Sequence, residues 1–578
     1  MTIKLDRTTF WRTWPLAAAI AATLALAGCS DSSTTVSAAS ESPSTSTPDD
    51  TAKSTGCGDK MDDQLFANVA QLKALVSKPP SFGLRSPGSD ADNRNVAWLE
   101  SELRKLPGMQ IRSQYFDIKR WQPTPLAADG VSRDLEAAGK LSITPSGPNA
   151  SQSSVSLPVA GAVPYSLSTG NSGKSGALVY LPTGTAISAA NSKGKMLIRD
   201  YPSSPLPYAT FLALADYLTA DLLPLMTSNY DRPYIAAAKQ VEDLIAAGRA
   251  GAAGVIFVFN VPRAQVAAYW DPHDGTHFIV PSIMVGVDEG EQLKKLASSG
   301  GTANIAVLGE RDVAPTRNLF ATLPGKSPER IIINANTDGN TWVQEDAVGG
   351  MLALANYFAH RPIECRPRTI EFAFGASHLA YSKDGTGLYA KELDKDYDKG
   401  TVAFAFAIEH MGTREILPMA RTDGPGQILK FTGESEPMAW FAGESPALAA
   451  ASIAAVQQRG LDRIAILRGQ DIPNPARVPM NCSFGGIGGF FHSYLIPTLA
   501  IISGPWSLWA PSFGESAIDF DRLHSQLLAV GDVILALDDL PREVIAGAYP
   551  LERQLRAAGV PTCPTALPPE EAPGPDAA

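Results

Sequence analysis

Between residues 331 and 412 the chain repeatedly ends an apolar run on polar groups. Ile331-Ile332-Ile333 leads to Asn336-Thr337-Asp338, and Glu345-Asp346 opens onto Ala347-Val348-Gly349-Gly350. Phe374-Gly375-Ala376 leads to Ser377-His378, and the run ending at Ile408 leads to Glu409-His410-Met411-Gly412. Carboxylates, an amide and an imidazole are the groups that ligate cations or carry protons. Side chains at the carboxyl ends of buried strands lie where open α/β sheets hold ligands. Adjacent Ser377 and His378, if extended, point to opposite sides, so the pair does not read as a nucleophile and its base.

The elements that must position these groups are short apolar strands at 330–335, 369–374, 402–408 and 498–503. Helical stretches lie between and after them, such as Val348 to Phe358 and about 519–540. Continuous apolar strands alternating with helices predict an α/β sheet covered on both faces, over 313–565. An N-terminal part, 57–144, opens with helical spacing at Leu65, Val69, Leu72 and Leu75. A second helix follows with Val96, Leu99, Leu103 and Leu106, stopped by Pro107-Gly108 before a strand at 110–118. Residues 145–312 are β-rich, with much Gly, Ser and Pro and one clear helix at 236–250.

Taken together, these motifs resemble the co-catalytic zinc aminopeptidase family (peptidase family M-twenty-eight, aminopeptidase Y/S-like). The turn Arg85-Ser86-Pro87-Gly88-Ser89 is similar to the opening of its secreted members. The helix 236–250, the strand Val255 to Phe259 and Ile279 to Val285 before Asp288-Glu289-Gly290 resemble the protease-associated (PA) domain often inserted in them. The resemblance implies a zinc-exopeptidase-like mixed sheet interrupted by a β-rich PA-like domain.

It also implies two zinc sites sharing a bridging aspartate, which falls on Asp346. The first histidine ligand falls on Asn336, the orienting aspartate on Asp338 and an acidic ligand on Glu409. Ser377 occupies the general-base position and His378 that of the second zinc's carboxylate. Phe491 and Ile496-Pro497 keep the frame of the last motif, where Gly488 replaces the distal histidine. His492 matches a supporting position. Asp346, Glu409 and Asn336 are an all-oxygen set, suited to calcium, magnesium or manganese more than zinc. Asp346 with His378 falls below the three protein ligands of a catalytic zinc. Loss of the base alone costs ~10²–10⁴-fold in rate.

Two readings follow. One is a non-catalytic protein that binds a peptide, glycan or protein partner. The other is an active aminopeptidase working with one atypical divalent metal. His273 and His277, in a Gly/Pro-rich loop of the insert, have a spacing compatible with metal binding, and a solvated loop is the plainer reading. His410, beside Glu409, reads as structural.

A net charge of −11 argues against nucleic acid as a partner. Lys4, Arg7 and Arg12 precede an apolar run from Trp14 to Ala27, the layout of a secretory signal, too short for a comfortable membrane span. Its ending, Leu26-Ala27-Gly28-Cys29, resembles the bacterial lipobox, which implies lipidation at Cys29 and a cell-envelope lipoprotein at the outer membrane or cell surface. An uncleaved anchor helix is the alternative. Residues 30–56 read as a flexible tether and 566–578 as a disordered acidic tail.

The remaining cysteines, Cys57, Cys365, Cys482 and Cys563, are even in number, as exported chains with disulfides have them. Of three possible pairings, Cys57 with Cys563 is favoured because domain termini lie close together, leaving Cys365 with Cys482. Four free buried thiols are the alternative.

Overall fold

A computed structural model describes residues 57–146, 154–272, 277–344, 346–380, 384–469, 471 and 473–564. Its core is a nine-stranded mixed sheet built around four parallel strands. Side by side these are Arg368–Gly375, Ser327–Asn336, Val402–Ile408 and Thr498–Ser503. Helices cover both faces, so every residue of Arg368–Gly375 and Val402–Ile408 is buried, and all are apolar except Arg368, Thr369 and Glu371. Antiparallel strands extend the sheet: Gly309–Leu323 and then Gln110–Pro123 beyond one edge. On the other side come Met438–Phe441, Ile464–Leu467 and finally Ala215–Leu218.

A second, eight-stranded sheet draws all its strands from between residues 139 and 307. The β-rich stretch is therefore real, yet it is not self-contained. Its segment Ala215–Leu218 leaves to close the edge of the core sheet. Its loops also bond to those that follow the core strands. Tyr165 donates its hydroxyl to the Leu379 carbonyl at 3.0 Å, and Asn340 donates from Nδ2 to the Ala268 carbonyl at 2.9 Å. The described residues pack as one unit.

The helical spacing read from Leu65 becomes a helix only at Val69, where Asn68 and Gln71 form a reciprocal cap. The preceding residues are irregular because Met61 gives its N–H to Asp532 instead. The helix Asp346–His360 packs against Val69–Val76, bringing the start of the folded chain to the far end of that long helix.

This corrects the expected disulfides. Cys57 pairs with Cys365, just past that helix, and Cys482 pairs with Cys563, each with Cα atoms 5.3 Å apart. The C-terminal segment instead runs beside residue 478, where Val478 donates its N–H to the Pro561 carbonyl and accepts the Cys563 N–H on its own carbonyl. Cys29, His273 and the tail lie outside the described residues. Among the described residues no helix is long and apolar enough to cross a membrane.

Candidate functional site

The parallel register sets Asn336 beside Gly375, so the polar residues that follow both strands gather at one end of the sheet. Asp338 is fully buried and wraps the next loop. Its Oδ1 accepts from the N–H of His378 at 3.3 Å and bonds His378 Nδ1 at 3.0 Å. Its Oδ2 accepts from the N–H of Leu379 at 2.8 Å. Burial alone would disfavour a charged His378. The carboxylate of Asp338, with Asp384 and Glu409 nearby, outweighs it and holds the imidazole above its ordinary range.

Ser377 corrects the picture of an extended segment. Its φ of 61° places it in the left-handed region, and its carbonyl accepts from Ala380 in a tight turn. The strand ends there rather than running on. His378 Nδ1 is committed to Asp338, so its alliance is with a carboxylate and not with the serine hydroxyl.

The amide of Asn336 is engaged by a neighbouring hydroxyl. Its Oδ1 accepts from the Thr386 hydroxyl at 3.2 Å. Its Nδ2, on a residue only 4% exposed, has no protein partner. The amide nitrogen is thus the edge left without a protein partner.

Glu409 is buried and accepts the Ile487 N–H on Oε2 at 2.7 Å. It presses on Gly486, where a Cβ would fall 2.0 Å from that oxygen and φ is 61°. Gly488, the position of the distal histidine, opens the helix Gly488–Ser493 and packs on the strand below. A Cβ there would lie 2.4 Å from the Ala500 Cβ. The histidine position is closed by packing as well as lacking the side chain. Asp346 is fully buried as the first residue of its helix.

His410, His492 and His277 are held in contacts of the fold. His410 turns away, its Nδ1 at 2.7 Å from the Ser503 carbonyl. His492 lies between Tyr549 Oη at 2.8 Å and the Asn481 carbonyl at 2.9 Å, and burial pushes it down to about 4. His277 packs edge-on to Tyr165 and is likewise lowered to about 4, by burial and then by Arg311.

Two members of the site escaped the sequence reading. Asp384 caps the helix Gly385–Asp398, and Asp92 lies on the helix Asp90–Leu103. Burial comes first for both in pushing them up to about 7, and Asp338 adds to it. A signal for Asp92 was present: it falls on the same helical stripe as Val96, Leu99 and Leu103, where a charge has no business without a partner.

The donor set does not fit two zinc ions. Ser377 brings no carboxylate, the place of the distal histidine at Gly488 is filled by packing, and both oxygens of Asp338 are engaged by the His378–Leu379 loop. Among the described residues no group of three or more His, Cys, Asp or Glu is arranged to hold a metal.

The fold is similar to that of zinc aminopeptidases. A zinc aminopeptidase from Bacillus subtilis superposes with a TM-score of 0.54 over 83% of this chain and 97% of its own, at 16% identity. A peptidase M28 precursor from Shewanella amazonensis does so with a TM-score of 0.52 over 82% and 97%, at 15% identity. At such identities the likeness is one of architecture. Neither a sequence-family model nor a curated protein sequence matches the chain.

Proposed function

We propose that this chain is an exported, lipid-anchored binding protein on an aminopeptidase scaffold, taking a peptide or protein partner without hydrolysing it. The observation that carries this reading is where two of the three surviving carboxylates are spent. Asp338 fastens His378 and Leu379, and Glu409 fastens Ile487, so both serve the loops that frame the strand ends. Secretion and lipidation rest on the N-terminal sequence, from Lys4 to Cys29.

A second reading, hydrolysis with one atypical metal, draws on the Asp338–His378 pair. A carboxylate on one ring nitrogen orients the imidazole for ligation through the other, the usual support of a metal-binding histidine.

The deciding experiment is elemental analysis of purified protein alongside an aminoacyl-anilide hydrolysis screen. Calorimetric titration with peptides bearing free amino termini runs in parallel. Peptide heat without turnover is the expected result. Stoichiometric metal with chelator-sensitive turnover would sink the binding reading and establish the second.

A further inference from the structure

The loop that reaches Glu409 through Ile487 carries a second group of buried oxygens at its other end. Asn481, 6% exposed, donates from Nδ2 to Glu444 Oε1 at 3.1 Å. Its neighbour Met480 donates its N–H to Glu552 Oε1 at 3.4 Å. Two consecutive residues thus gather carboxyl groups from separate elements. Glu444 follows the strand Met438–Phe441, and Glu552 lies in the helix Tyr549–Ala557.

The gathering leaves acceptors without donors. Glu552 Oε2 and Asn481 Oδ1 are both buried and have no protein partner. Because Nδ2 is held by Glu444, the amide cannot flip without setting its oxygen against a carboxylate. Burial, and then the charge of Glu444, pushes Glu552 up to about 7, and burial raises Glu444 as well. Arg468 faces Glu444, but it is more than half exposed and pairs with Asp216 at 3.2 Å. Buried acceptors of this kind are costly until a proton or a cation satisfies them.

We propose that Glu444, Glu552 and the Asn481 amide oxygen form a site for a hard divalent cation, with calcium as the occupant. Two carboxylates and an amide carbonyl are an all-oxygen set, and calcium tolerates irregular coordination completed by water where magnesium does not. The site uses two acidic residues, so it lies outside any cluster of three. Its role is mechanical. Cys482–Cys563 already clamps the loop to the C-terminal segment, and His492 holds the Asn481 carbonyl. A cation here would tie the same loop to the helix Tyr549–Ala557, independently of any ligand at the strand ends.

The test is thermal unfolding of the full chain, disulfides intact, titrated with calcium chloride, with magnesium and sodium arms at matched ionic strength. The unfolding temperature is expected to rise with calcium and saturate with a Kd of ~10⁻⁴–10⁻³ M, the range of extracellular calcium modules. E552Q should abolish the rise, and E444Q should weaken it at least about ten-fold. A flat calcium titration, an equal rise with sodium, or a rise that survives in E552Q overturns the proposal. If E552Q does not fold, calorimetry of calcium on the wild type and on E444Q decides: no heat in the wild type, or equal affinity in both, overturns it.

Discussion

Substituting Asp92 by Asn tests whether the buried acids of the strand-end site are held neutral. Asp92 is fully buried, and its Oδ2 accepts the Gly88 N–H at 2.9 Å. Burial first, and then the Asp338 carboxylate, moves it from the ordinary 3.8 to about 7, against the opposing Gly88 N–H and Arg85. The folded chain therefore holds this proton more tightly than the unfolded chain. Its contribution to stability is fully present below the unfolded value near 3.8 and is lost as pH rises through about 7. That window spans roughly three pH units, and at ~1.4 kcal/mol per unit the wild type loses up to ~4 kcal/mol across it.

Asp92→Asn is permanently neutral, and its amide oxygen can keep the Gly88 bond. The variant should match the wild type within about 1 kcal/mol at about pH 4 and exceed it by a few kcal/mol at about pH 8. Urea unfolding midpoints at the two pH values, with disulfides intact, measure the gap. A variant less stable than wild type at the higher pH, or a gap that does not widen with pH, refutes the reasoning.

Other outcomes follow from single contacts. Gly488→His, which restores the distal histidine in name, should gain no zinc affinity. It should lose ~1–3 kcal/mol to overpacking against Ala500, read by thermal unfolding and metal analysis. In Asp338→Asn the charge that offsets burial is gone, so the His378 pKa should fall below 6.5 in a histidine NMR titration. An unmoved value would show that Asp338 does not govern it. In the wild type this pair stabilises the fold below the unfolded histidine pKa and fades as pH rises through the raised folded value. Cys57→Ser should cost ~2–5 kcal/mol and open protease cleavage ahead of the helix Val69–Val76, while Cys482–Cys563 stays intact.

What the sequence by itself determined is the architecture. Strands buried on both faces must be apolar throughout, so Val402–Ile408 and Thr498–Ser503 can be read to the residue. The polar groups at their ends can be read for the same reason, since they interrupt runs that nothing else interrupts. Tertiary structure alone decided what those groups do. The Asn336 amide is engaged by Thr386, 50 residues away, and Glu409 became a loop fastener because Ile487, 78 residues away, offers its N–H. The disulfide pairing likewise turned on which helix end Cys57 reaches, and the charge state of Asp92 on its nearness to Asp338. Apolar burial is written into local composition and period. Hydrogen-bond partners and shared protons depend on atoms brought within about 3 Å by the whole fold, and no local pattern encodes that distance.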